Sequence, residues 1–276
     1  MTGEIRLVVS DVDGTLVRSD KTLSDGVIAA VRRLQKAGVP LSLISARPPS
    51  GMLWIAERLA LTGQIGAFNG GTIVQPDGTV VSTERLAPDV ATQALAMLSD
   101  PALIVWVFAE ARWHTSKLDE EHIPRERKSA NQEPILCGDF SGLLGKVDKI
   151  VAVSDDHDKL AALEGQVAEA LGHGATVIRS QLYYLDITAP RANKGDGIAA
   201  LAKAAGVDLP DVVVIGDQRN DMAMFARAGV AIAMEQGPEE VRKAASCVTG
   251  SNDEDGVAQA IDRIILPMSG GKGAAC

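Results

Sequence analysis

Cysteine is scarce in this chain. Its 276 residues include three, Cys137, Cys247 and Cys276, with no CxxC spacing. That excludes a zinc ribbon or a disulfide-dense scaffold and fits idle thiols in a reducing compartment. Basic charge is also short. Lys and Arg number 27 against 36 Asp and Glu, and the net charge of −9 argues against a nucleic-acid or anionic-membrane partner. No long apolar run exists; the most extended, residues 103–109, is far too short to cross a bilayer. The first apolar stretch starts close to Met1, leaving no room for a signal peptide, so the expected location is cytoplasmic. Repeats are missing, and the one biased segment is a Gly-rich tail at 269–276, read as flexible. What is present is ordinary for a folded protein: 46% hydrophobic and 23% charged residues, enough for a large core plus an inserted module.

Residues 5–10 form a short apolar run rich in β-branched side chains, the pattern of a buried parallel strand. Asp11-Val12-Asp13-Gly14-Thr15 follows where that strand stops. Ligands of open α/β sheets sit at the carboxyl ends of strands, so both acids fall where chemistry is expected. Such a pair can hold a hard cation or divide covalent attack and proton transfer between its members. A helix over residues 25–37, capped by Ser24, leads to a second strand at 39–45, which delivers Ser45-Ala46-Arg47 to the same sheet edge. A third short strand ends in Asn69-Gly70-Gly71, and a hairpin turns at Pro76-Asp77-Gly78-Thr79.

From about Glu84 the pattern changes to strands in adjacent pairs with intervening helices, read as a largely antiparallel α+β module with a polar stretch at 119–131. The alternating α/β pattern resumes after Pro190. Asn193-Lys194-Gly195 opens a helix, and Val212-Val213-Val214-Ile215 is a fully apolar strand ending in Gly216-Asp217-Gln218-Arg219-Asn220-Asp221. The expected fold is α/β, a Rossmann-like parallel-sheet core with an inserted α+β cap. The core is expected at residues 1–83 and 187–276 and the cap at 84–186. Taken singly, the polar clusters have plainer explanations. Ser45 can be an N-cap, Lys194 a solvated lysine, Arg47 a surface residue, and the acids at 217–221 a helix cap. Their joint placement at one sheet edge is what points to a site.

The order and wording of these clusters resemble the haloacid dehalogenase superfamily. The match lies in Asp-x-Asp-Gly-Thr-Leu at 11–16, Ser45, Asn-Lys-Gly at 193–195 and Gly-Asp-x-x-Asn-Asp at 216–221. The insertion between the second and third motifs resembles the Cof-type branch with its large mobile cap. The resemblance implies a phosphatase acting on a small phosphorylated metabolite, most plausibly a sugar phosphate, through an aspartyl-phosphate. It implies Asp11 as nucleophile and Asp13 as acid and base, with Asp13 neutral when substrate arrives. Mg²⁺ is expected on Asp11, Asp13, Asp217 and Asp221, with Asp13 contributing its backbone carbonyl. Phosphate is expected on Ser45, Lys194, Gly14 and Arg47, with Asn220 orienting the loop and Asn69 at the mouth. Cap residues Arg112, Trp113, His114, Arg125 and Arg127 are candidates to meet the leaving group.

Two positions depart from the usual wording. Ser45-Ala46-Arg47 stands where many relatives have Thr-Gly-Arg, and Gln218 fills a slot where a small polar residue is common. The alternatives are a phosphomutase or phosphotransferase with the same nucleophile, and a non-catalytic phosphate-responsive module. The expected partner is a small phosphate ester, with no nucleic acid and no membrane; monomer and homodimer fit equally.

Overall fold

The protein is described from a computed structural model covering residues 4–118 and 121–269. Nearly all of the Gly-rich tail, with Cys276, lies outside the described residues. The chain starts with β1 (Leu7–Ser10), α1 (Asp25–Lys36), β2 (Leu41–Leu43) and α2 (Ser50–Arg58). An antiparallel trio follows: β3 (Ile65–Ala67), β4 (Thr72–Val74) and β5 (Val80–Thr83). The inserted segment contributes α3 (Pro88–Met97), β6 (Ile104–Ala109), β7 (Arg112–Thr115), α4 (His122–Ala130) and β8 (Ile135–Leu136). It continues through β9 (Val147–Val153), α5 (His157–Leu171), β10 (Thr176–Gln181) and β11 (Tyr184–Thr188). The chain returns with α6 (Lys194–Ala205), β12 (Val212–Gly216), α7 (Met222–Phe225) and β13 (Val230–Met234), then α8 (Glu239–Ala244), β14 (Cys247–Thr249) and α9 (Gly256–Ala260).

The core sheet has the order β14-β13-β12-β1-β2, every pair parallel. Buried on both faces, β1 and β12 read as continuous apolar runs, as parallel strands do. Ser10 pairs with Ile215, so the residues that follow both strands emerge side by side. The helix α1 forms because Ser24 caps it through the Val27 amide at 3.0 Å, while Val27, Val31 and Leu34 turn one face inward. A mixed six-stranded sheet, β10-β11-β9-β6-β7-β8, builds the cap. Its ladders are antiparallel except the short β7–β8 pair.

Three elements are absent from the sequence-based reading. The helix α4 occupies the stretch read as polar; it ends at Asn131, which adopts a left-handed φ of 51°. Its buried face is His122, Ile123, Glu126, Ser129 and Ala130, mostly polar, so apolar periodicity does not reveal it. The strands β8 and β14, of two and three residues, are too short to register. Among the described cysteines, Cys137 is free. No helix among the described residues is long and apolar enough to cross a membrane.

Candidate active site

The strand ends bring four polar clusters together. The Asp11 amide continues the sheet ladder to the Ile215 carbonyl at 2.9 Å, so Asp11 follows β1 directly and stays buried. Asp217 follows β12, and its Oδ1 accepts the Thr15 hydroxyl at 2.9 Å. The loop after Asp13 can approach this closely because Gly14 has φ +77°. A Cβ there would stand 2.4 Å from an Asp217 carboxylate oxygen. Asp221 is fully buried, and its Oδ2 accepts the amides of Asp217 and Gln218, both at 2.8 Å. Lys194, the first residue of α6, lies between two acids. Its Nζ donates to Asp11 Oδ1 at 2.6 Å and to Asp221 Oδ1 at 2.5 Å.

Asp11, Asp217 and Asp221 each present one carboxylate oxygen, all within 4.8 Å of one another. One ammonium does not balance three buried carboxylates, and the titration of the group reflects this. Burial pushes Asp11 up to about 7, with Lys194 opposing and Asp221 and Asp13 adding to the rise. Burial raises Asp217 well above the usual carboxylate range, and the charges of Asp11 and Asp221 raise it further. Burial lowers Lys194, but Asp11 and Asp221 outweigh it, and the amine is held more strongly protonated than usual. An all-oxygen donor set of this density suits a hard divalent cation.

Asp13 is held by other cations. Its carboxylate receives Arg47 Nε at 2.6 Å and Nη2 at 2.8 Å, plus Lys21 Nζ at 2.5 Å. Burial raises its pKa, but the Arg47 charge and its hydrogen bonds, joined by Lys21, hold it well below the usual carboxylate range. Asp13 is therefore held as an anion here, whereas the sequence reading expects a neutral acid once substrate arrives. The reason is the bidentate guanidinium, which stabilises the charged form. Its carboxylate stands apart from the cluster of Asp11, Asp217 and Asp221.

Ser45 is buried after β2, where its Oγ accepts the Arg47 amide at 3.2 Å. Asn69 is buried too. It accepts Asn220 Nδ2 at 3.3 Å and is not among the residues that line the cavity, whose mouth the sequence reading gave it. The Gly14 carbonyl accepts Gln236 Nε2 at 2.6 Å.

The cap closes over this edge. The Ser50 hydroxyl donates to the Ala130 carbonyl at 2.6 Å, and Lys149 Nζ donates to the Ala46 carbonyl at 2.9 Å. A Cβ on Gly51 would stand 2.1 Å from the Ser129 carbonyl, so only glycine allows α4 to sit this close to α2. Between core and cap lies a cavity of about 60 Å³, lined from the core by Asp11, Asp13, Lys21, Ser45, Arg47 and Asn220. The cap supplies Arg125, Glu126, Lys149 and Tyr183, among others. Of the five cap residues expected from sequence, Arg125 lines this space, stacked over the Tyr183 ring at 4.7 Å. Trp113 is instead packed against Trp106 at 5.1 Å, and Arg127 pairs with Glu133 at the surface. The sequence reading misses Lys21, Glu126 and Lys149. Single charged residues without a motif carry no signal of their own.

A parallel α/β core with acids at its strand ends, covered by an inserted mixed-sheet cap, makes a covered acidic site of the kind that holds small ligands. The profile of the haloacid dehalogenase-like hydrolases matches residues 8–261. A putative phosphatase of Streptococcus pyogenes is 27% identical over 266 residues, covering 95% of this chain and 99% of its own. The HMP-PP phosphatase of Cronobacter sakazakii is 30% identical over 230 residues, 83% of this chain and 84% of its own. The crystal structure of a haloacid dehalogenase-like hydrolase from Bacteroides thetaiotaomicron is 30% identical. It superposes with a TM-score of 0.81 over 94% of this chain and 99% of that one. The chain belongs to the haloacid dehalogenase-like hydrolase family, and it is a phosphatase.

Proposed function

We propose that the protein is a Mg²⁺-dependent phosphatase of a small polyhydroxylated phosphate ester, a sugar phosphate above all, working through an aspartyl-phosphate on Asp11. The convergence of Asp11, Asp217 and Asp221 around Lys194 is the observation that carries this reading. Asp11, Asp217, Asp221 and the Asp13 carbonyl would hold the ion. Bound there, it offsets the clustered negative charge and polarises a phosphoryl oxygen. Residues 1–83 and 187–276 form the catalytic core in this reading, and residues 84–186 form the lid.

Asp11 attacks phosphorus, and the bond to the leaving-group oxygen breaks. Asp13 gives that oxygen its proton, then takes one from the water that cleaves the acyl phosphate, which frees Asp11 and inorganic phosphate. Asp13 must acquire a proton first. An arriving phosphate dianion competes for Arg47 and Lys21 and frees the Asp13 carboxylate from the cations that hold it charged. Lys194 and the Ser45 hydroxyl meet the non-bridging oxygens, and Gly14 lets the loop curl around them.

Hydrolysis of para-nitrophenyl phosphate is expected to fall at least ~100-fold in EDTA, on the scale of losing one preorganised electrostatic contact. Asp217→Ala is expected to raise the half-activating Mg²⁺ concentration at least ~10-fold, the scale of about 1.4 kcal/mol of binding. Equal rates with and without the metal would overturn the proposal.

Stability gives an independent readout. Folded Asp11 titrates near 7 and Asp217 is raised, whereas an unfolded Asp titrates at about 3.9. Between those values the folded chain binds more protons than the unfolded chain, so stability falls as pH rises from 4 to 7. Asp13 runs the other way; its contribution is present above about pH 4 and is lost only in stronger acid. Without metal, the Tm is therefore expected to drop between pH 5 and 7.5. Mg²⁺ is expected to raise it more at pH 7.5 than at pH 5. A Mg²⁺ shift of the same size at both values, measured by scanning fluorimetry, would contradict the ligand set.

A further inference from the structure

We propose that Glu126 reads the leaving group, accepting hydrogen bonds from the hydroxyls of a polyhydroxylated ester, an inference that rests on the phosphatase reading above. Glu126 is 7% exposed and lines the cavity from the cap side, one turn before the Ala130 carbonyl that is clasped by Ser50. Among the described residues no hydrogen bond or ion pair reaches its carboxylate. Another buried acid of the cap shows what a structural carboxylate looks like here. Asp148, 3% exposed, is tied to Arg85 at 3.2 Å and to the Ala111 amide at 2.7 Å. The Glu126 carboxylate instead opens onto the cavity, where a group that brings hydrogen-bond donors can meet it.

The surroundings narrow the class of donor. Arg47 and Lys149 face Glu126 and disfavour an ammonium on the ligand, while Asp13 and Asp186 face it as well and disfavour a second carboxylate. Neutral donors satisfy both constraints. Burial raises Glu126 to about 7, so near neutrality the group both accepts from and donates to a hydroxyl. The rest of the cap wall matches. Ser129, Ser180 and Gln181 offer further hydrogen bonds, and the buried Tyr184 hydroxyl has no partner among the described residues. Close contact with Gly51 sets where α4 lies against the core, and this helix carries Glu126 over the site.

The test compares kcat/KM for a panel of hexose, pentose and glycerol phosphates with that for para-nitrophenyl phosphate, whose leaving group carries no further hydroxyl. Wild-type protein is to prefer its best polyol ester over the aryl ester at least tenfold. Glu126→Gln keeps one acceptor oxygen and should erode that ratio. Glu126→Leu keeps none and should reduce it at least tenfold, mainly through KM of the polyol ester. The aryl ester reports on folding and on the chemistry at Asp11. A ratio that falls less than tenfold in Glu126→Leu, or losses of equal size on both esters, overturns the role of Glu126. Should wild-type protein show no preference for any polyol ester, the substrate class falls and Glu126 falls with it. Should the preference persist in both variants, only Glu126 falls.

Discussion

Asp11→Asn is expected to fold normally and to lose turnover by roughly 10⁴-fold or more, the scale seen when an enzyme loses its nucleophile. The amide fills the same space but cannot attack phosphorus. Stability should move in the opposite direction. Asp11 is buried beside Asp217 and Asp221, and burial pushes its proton affinity up to about 7, so its charge is unwelcome at neutral pH. Replacing it by a neutral group relieves that repulsion, and the metal-free Tm at pH 7.5 should equal or exceed that of the parent. This is the trade between stability and function found at sites that hold like charges together. Phosphate release by a colorimetric assay and thermal melting measure the two effects. A rate within tenfold of wild type would remove Asp11 from the role of nucleophile.

Lys194→Met should be damaging in both respects. The side chain is 1% exposed and supplies the ammonium shared by Asp11 and Asp221. Taking one partner out of a buried charge cluster costs about 3–5 kcal/mol. For a chain of this size that amounts to roughly 10 °C in Tm. Turnover should drop by about 10²–10³-fold, the cost of removing one preorganised donor to a developing anion. Two conditions separate this account from a simple packing defect. Acidification to pH 5 should restore part of the lost Tm, because the orphaned carboxylates then carry protons. Saturating Mg²⁺ should do the same without restoring kcat. If neither condition narrows the gap, the damage lies in packing and the electrostatic account of Lys194 fails.

The parallel core was legible because its central strands are buried on both faces and show it as unbroken apolar runs. Val212-Val213-Val214-Ile215 is the clearest example, and Asp217 follows it at the strand end. Local chemistry also announced α1 through Ser24 and α6 through Asn193, which accepts the Asp196 amide at 2.9 Å. By contrast α4 was invisible, because the face it buries looks onto a polar cavity. Its inward residues His122, Glu126 and Ser129 break the apolar stripe by which helices are recognised. The charge that Asp13 carries before substrate arrives was not legible, for a different reason. It depends on Arg47, 34 residues away in sequence, arriving with a bidentate grip, and on Lys21, which no motif marks. Composition and spacing place acids at a sheet edge. They do not say which cation each acid will meet.

Phe68, which immediately precedes Asn69 in the core, rests its ring against Phe108 of the cap sheet, with centroids 5.6 Å apart. A cavity of about 60 Å³ is well below the 300–1,000 Å³ typical of ligand pockets, and neither of these rings lines it. Were the cap to lift for a larger ligand, this contact would part, and a pair of phenyl rings would be wetted and dried in turn. Solvent viscosity and temperature would then act on the pace of the enzyme through this greasy latch, whatever the speed of the chemistry beneath it.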